Sequence, residues 1–118
     1  MNCMFIRRRF SAAKEIPVTV TGKGNTSYCY ATIGGETVTA EGTYTAKSGS
    51  VITFGVYGSP KQGGMVKIDG TMVLIVHSNA TETYDWTVPS DIVSINIDLS
   101  YHGTAARPTY GTITVTTA

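Results

Sequence analysis

Apolar and polar side chains alternate strictly along residues 93–99. Val93, Ile95, Ile97 and Leu99 fall on one side, and Ser94, Asn96 and Asp98 on the other. A period of two is the signature of a half-buried strand, because successive side chains point to opposite faces of a pleated backbone. "VITFGVYG" follows the same rule, with Ile52, Phe54 and Val56 inward and Thr53, Gly55 and Tyr57 outward. "GTITVTTA" places Ile113 and Val115 inside and its threonines outside. Further strands are predicted at "PVTVT", "SYCYATI", "ETVTA", "GMVKI", "TMVLIV" and "TYDWTV". "MVLIV" is apolar on both faces, which predicts a central strand; the alternative is that Val73 and Ile75 face a neighbouring subunit.

Turn chemistry separates these runs at intervals of about 8–12 residues. Asp69 with Gly70, and Gly34 with Gly35, are hairpin dipeptides, since both residues of such a turn need positive φ. Thr and Val, stiff at χ1, dominate after Pro17, and no stretch carries a 3.6-residue apolar rhythm. The prediction is an all-β chain: an immunoglobulin-like antiparallel β-sandwich of about seven to nine short strands, over residues 16–118. The chain of 118 residues is long enough for one domain with its own core.

Charge divides the chain. Residues 1–15 hold Arg7, Arg8, Arg9 and Lys14 against Glu15, a net +3; the other five basic and seven acidic residues give the body −2. A mildly acidic body is not the footprint of a nucleic-acid binder. No apolar run approaches the roughly 20 residues that span a bilayer, so neither nucleic acid nor membrane is an expected partner. The head lacks the order of a secretory signal, because its apolar residues precede the arginines. Met4, Phe5, Ile6 and Phe10 are too many apolar groups for a freely solvated tail. Arg7, Arg8 and Arg9 are too much charge for a sandwich core. An arm that buries its apolar side chains in a neighbour while its arginines pair with acidic groups satisfies both demands. Residues 1–15 are therefore read as a docking arm.

Catalytic chemistry has little to stand on. His77 and His102 are isolated, and no metal-ligand spacing accompanies them. The seven carboxylates beyond the head are scattered over turns and outward strand positions rather than paired. "GKGNTS" at 22–27 has the composition of a phosphate loop, but a strand follows it where such a loop needs a helix. Cys3 and Cys29 make no disulfide framework, and Cys29 reads as a small buried side chain. Asn25 and Asn79 each begin a glycosylation triplet and are taken as chance matches. No enzyme activity, metal or cofactor is expected.

Aromatic residues are the remaining candidates. With Cys29, Ala31 and Ile33 inward, Tyr28 and Tyr30 share the opposite face, where they shield the sheet or form an aromatic surface for a glycan or a protein. Trp86 is assigned to the core between the sheets, with a binding platform as its alternative.

"MFIRRRFSAAK", followed by "VTVTGKGNTSYCYATIGGETVTAEGTYTAKSGSVITFGVYG", "KIDGTMVL", "TYDWTVPSDIVSINIDLSY" and "YGTITVTT", resembles small proteins of tailed bacteriophages and prophages of Gram-positive bacteria: a short arginine head before an immunoglobulin-like domain. The resemblance implies a virion protein, either a capsid decoration or head-fibre protein or a tail or baseplate accessory. Other capsid or tail proteins would be its partners, and copies would form a homo-oligomer or an array on a symmetric particle. A carbohydrate-binding or adhesin module for host-surface glycans is the other expectation.

Overall fold

The computed structural model describes residues 13–61, 63–101 and 109–117. Within them the chain forms β1 (Glu15–Lys23), β2 (Cys29–Ile33), β3 (Glu36–Val38), β4 (Gly42–Lys47), β5 (Val51–Gly58), β6 (Gly64–Ile68), β7 (Thr71–Val76), β8 (Ala80–Thr87), β9 (Ile92–Ser100) and β10 (Tyr110–Thr117). No helix occurs among the described residues. Two sheets stack face to face. The larger runs β4-β1-β9-β10-β6-β7 and the smaller β3-β2-β5-β8. The all-β sandwich is the one that the alternation predicts.

Alternation sets which side chains meet between the sheets. Ile16, Val18 and Val20 of β1, Ile52, Phe54 and Val56 of β5, and Ile95, Ile97 and Leu99 of β9 are buried, and Ile113 of β10 joins them. Val115 is half-buried against this core. β9 departs from its simple pattern at one point. A register shift lies between Ile92 and Ser94, so Ile92 turns inward while Val93, expected inside, is 40% exposed.

The turns behave as their chemistry requires. Gly34 and Gly35 (φ 59° and 82°) join β2 to β3, and Asp69 and Gly70 (φ 50° and 83°) join β6 to β7. The second turn is also tied to β10: the Asp69 amide donates to the Ile113 carbonyl at 2.8 Å, and the Val115 amide donates to Asp69 Oδ1 at 3.0 Å.

Three features differ from the sequence reading. Two pairings in the larger sheet are parallel, β1 with β9 and β10 with β6, where only antiparallel ones were expected. β4 was not foreseen as a strand. Its inward residues are only Tyr44, half-buried, and Ala46, so its apolar signal is thin; pairing with β1 holds it. Finally, β7 is an edge strand and not a central one. Among the described residues no layer covers its outer face, and Met72 and Ile75 are 48% and 52% exposed.

The domain boundary also moves. Lys14 and Glu15, assigned to the arm, belong to the body. Lys14 exchanges hydrogen bonds with Ser48 (amide to Oγ 3.0 Å, Ser48 amide to its carbonyl 2.8 Å), its Nζ donates to the Ile92 carbonyl at 2.8 Å, and Glu15 pairs with Lys47. Pro17 favours this extended start. Pairing with β9 begins only at Val18, so β1 is locally an edge where proline lacks its N–H.

Candidate functional site

β2 places Tyr30 on the outer face of the smaller sheet, with Cys29, Ala31 and Ile33 buried beneath. Tyr30 is in register with Gly55 of β5, and a Cβ at Gly55 would lie 2.4 Å from the tyrosine ring. The ring therefore covers a bare stretch of central-strand backbone, a cross-strand packing that a glycine permits. Tyr30 is half-buried in this position.

Tyr28 is engaged differently. It lies in the turn before β2, where the Cys29 amide donates to the Asn25 carbonyl at 2.9 Å and the Ser27 amide to Asn25 Oδ1 at 2.8 Å. Its ring stacks on Tyr101, just beyond β9, with centroids 5.4 Å apart and planes 2° from parallel. It also meets Tyr57 of β5 at 5.1 Å, tilted by 40°. Tyr28 thus joins the smaller sheet to the end of the larger one, and the face it turns to Tyr101 is occupied. Geometries of this kind contribute about 0.5–1.5 kcal/mol per pair beyond the burial of area.

Polar groups fringe this cluster. The Tyr57 hydroxyl donates to Asn79 Oδ1, and the Thr81 hydroxyl to the Ser27 carbonyl. Asn79 holds a left-handed φ of 58° and its amide donates to the Gly58 carbonyl at 2.8 Å. Thr109, buried, donates to the Tyr57 carbonyl at 2.6 Å. Exposed His77 follows β7, with Nδ1 3.3 Å from the Ser59 carbonyl. These polar groups largely satisfy one another, so the arrangement works as a lock between sheets.

Trp86 lies on β8, an edge of the smaller sheet, in register with buried Ile52. It is half-buried and packs against the core, as assigned. Cys29 is fully buried; its thiol donates to the Tyr110 carbonyl at 3.4 Å. Burial pushes its pKa from 9.0 up to about 11, against the pull of a backbone hydrogen bond at Ser100. A thiol so protected is a poor nucleophile.

The carboxylates serve local partners on separate elements. Asp98 accepts from the Thr21 hydroxyl and, at 3.4 Å, from Thr112; Asp85 accepts from Thr53 at 2.8 Å; Glu82 from Ser78 at 2.5 Å; and Glu41 from the Gly22 amide at 3.2 Å. Among the described residues no three His, Cys, Asp or Glu side chains group as a metal site. Met4, Phe5, Ile6, Arg7, Arg8, Arg9 and Phe10, the expected docking residues, lie outside the described residues, as do Cys3 and His102.

Sequence reasoning missed Tyr57 and Tyr101 as ring partners of Tyr28, and Asn79 as the acceptor of the Tyr57 hydroxyl. The high tyrosine content was the available signal, but their meeting joins positions far apart in the chain. Comparisons with protein-family models, with curated proteins and with solved structures find no match to this chain.

Proposed function

We propose that the chain is a non-enzymatic virion structural protein of a tailed bacteriophage, in which residues 4–10 dock onto a capsid or tail protein and an immunoglobulin-like sandwich with its own strand order projects outward. One observation carries this reading. The described strands close a core among themselves, from Ile16 of β1 to Ile113 of β10. A body of that kind is what display through a separate apolar and basic arm requires. Its two-layer architecture, tied at one end by Tyr28, Tyr57 and Tyr101, is suited to repeated display on a particle.

The test is removal of residues 1–12. The truncated chain is expected to keep its β circular-dichroism spectrum and its melting temperature, and to be lost from purified particles. Incorporation at the level of the full chain would overturn the proposal.

Tyr30 supports a second reading, a module for host-surface glycans. One side of its ring lies on Gly55 while the residue remains partly exposed, the arrangement that sugar stacking uses. Tyr28 contributes less to it, because Tyr101 occupies one face of its ring. On a glycan array the full chain would bind and the Tyr30→Ala variant would not; equal binding by both would dismiss this reading.

A further inference from the structure

The four sheet edges of the sandwich are not alike. An edge strand offers unpaired N–H and C=O groups, and proteins usually blunt it by shortness, charge or proline. β3 has three residues, β4 carries Lys47, and β8 carries Glu82 and Asp85. β7, Thr-Met-Val-Leu-Ile-Val, has neither charge nor proline, and among the described residues no strand pairs with its outer side.

The sheet face next to this edge carries apolar and aromatic side chains around one charge, Lys67. Tyr110, Met65 and Ile75 form one row across β10, β6 and β7, and Met72 lies beyond Lys67 in the next. Met72 and Ile75 are the two most exposed large apolar side chains among the described residues. Over β1, β9 and β10 the same face carries a polar row of Thr19, Asn96 and Thr114. Of the four exposed large apolar side chains among the described residues, Val51 and Val93 lie apart on β5 and β9, whereas Met72 and Ile75 share this one edge strand. Such a pair marks an interaction surface, and methionine adapts well to its contacts.

What fits the edge is written in its own register. A bulge between Val66 and Lys67 lets Val73 and Leu74 both pack against the core. Thr71 and Val76 lie opposite inward Ile68 and Gly64, while Met72 and Ile75 lie opposite Lys67 and Met65 on the outer face. By face, from Thr71 to Val76 the strand therefore reads in, out, in, in, out, in, with Thr71 itself exposed where the strand leaves its turn. That order is the same in both directions, so an antiparallel copy related by a two-fold axis between Val73 and Leu74 matches it at every position. Met72 of one copy then faces Ile75 of the other, and each bulge meets its equivalent. A cationic arm would find no acidic group on this strand, whereas a second β7 brings an equally uncharged and self-complementary edge.

We infer that β7 is a homodimer interface, through which two copies pair edge to edge and join their six-stranded sheets into one. This inference is independent of the proposed virion role. It is tested on the full chain by sedimentation equilibrium. The wild-type chain is expected at twice its 12.5 kDa mass, and Ile75→Lys at the single-chain mass with an unchanged circular-dichroism spectrum. Register is read by cross-linking in a Cys3→Ser background. The Met72→Cys, Ile75→Cys double variant is expected to form a covalent dimer on mild oxidation. Met72→Cys alone is expected to stay uncross-linked, because the two-fold sets its two copies apart. A monomeric wild type would overturn the inference, as would a dimer that survives Ile75→Lys or cross-linking by Met72→Cys alone. A dimer lost on deleting residues 1–12 would also overturn it, by making the arm the occupant of the edge.

Discussion

Gly111 of β10 has Leu99 and Val66 as its neighbours across the larger sheet, and it faces Phe54, fully buried, in the smaller one. A Cβ added there would lie 1.9 Å from Cε1 and 2.3 Å from Cζ of that ring. Ordinary contact begins at 3.4 Å, so the ring would have to retreat by about 1.5 Å into a close-packed interior. Gly111 does not have positive φ, so alanine suits its backbone, and unfolded-state entropy alone would make Gly111→Ala stabilising by about 0.4–1 kcal/mol. Overpacking acts the other way, by about 1–3 kcal/mol. The steric term wins, and the expected net loss is about 1–2 kcal/mol, a melting temperature lower by about 4–16 °C for a domain near 100 residues. Urea unfolding should show a lower midpoint at unchanged slope. Phe54→Leu makes room for the new methyl group. The double variant should therefore be more stable than the sum of the single losses by about 0.5–3 kcal/mol. A Gly111→Ala protein as stable as the parent, or strict additivity in the cycle, would refute the argument that this glycine is required by the Phe54 ring.

Cys29, with its thiol raised from 9.0 to about 11, favours the neutral form in the folded chain. Its contribution to stability is complete below pH 9 and is lost as pH rises to 11, by about 3 kcal/mol at 1.36 kcal/mol per unit. Urea midpoints measured across that range should fall more for the parent than for Cys29→Ala; parallel curves would contradict the assignment. Gly35→Ala meets nothing within 4 Å but must hold φ near 82°, so a loss of about 1–2 kcal/mol is expected in thermal unfolding, with a smaller loss for Gly35→Asn. Tyr28→Ala removes two ring contacts and should cost about 1–3 kcal/mol, with reduced near-ultraviolet circular dichroism; an unchanged spectrum would mean that the cluster is not ordered in solution.

Much of the fold was legible because it depends on neighbours in the chain. Ile52, Phe54 and Val56 are buried as their spacing predicts, and Gly34, Gly35, Asp69 and Gly70 turn where positive φ is cheap. The errors have equally specific causes. One bulge exposed Val93, since a single extra residue reverses every face before it. β4 went unseen because two small or half-buried side chains carry its inward face. Of the candidate site, the outward face of Tyr30 was readable from its strand, whereas the stacking of Tyr28 on Tyr101 was not.

That this chain is built from strands, which side of most strands faces inward, and where the tightest hairpins close could all be read from the residues in order. Those are properties of one strand or one turn, set by side-chain alternation and backbone sterics. Which strands lie side by side, that β1 and β9 run parallel, that β7 ends a sheet, and that three tyrosines meet emerged from the assembled fold alone. The hydrogen bonds that order a sheet join backbone groups common to all residues, so the order of strands is selected by the packing of the whole core and leaves little trace in any one segment.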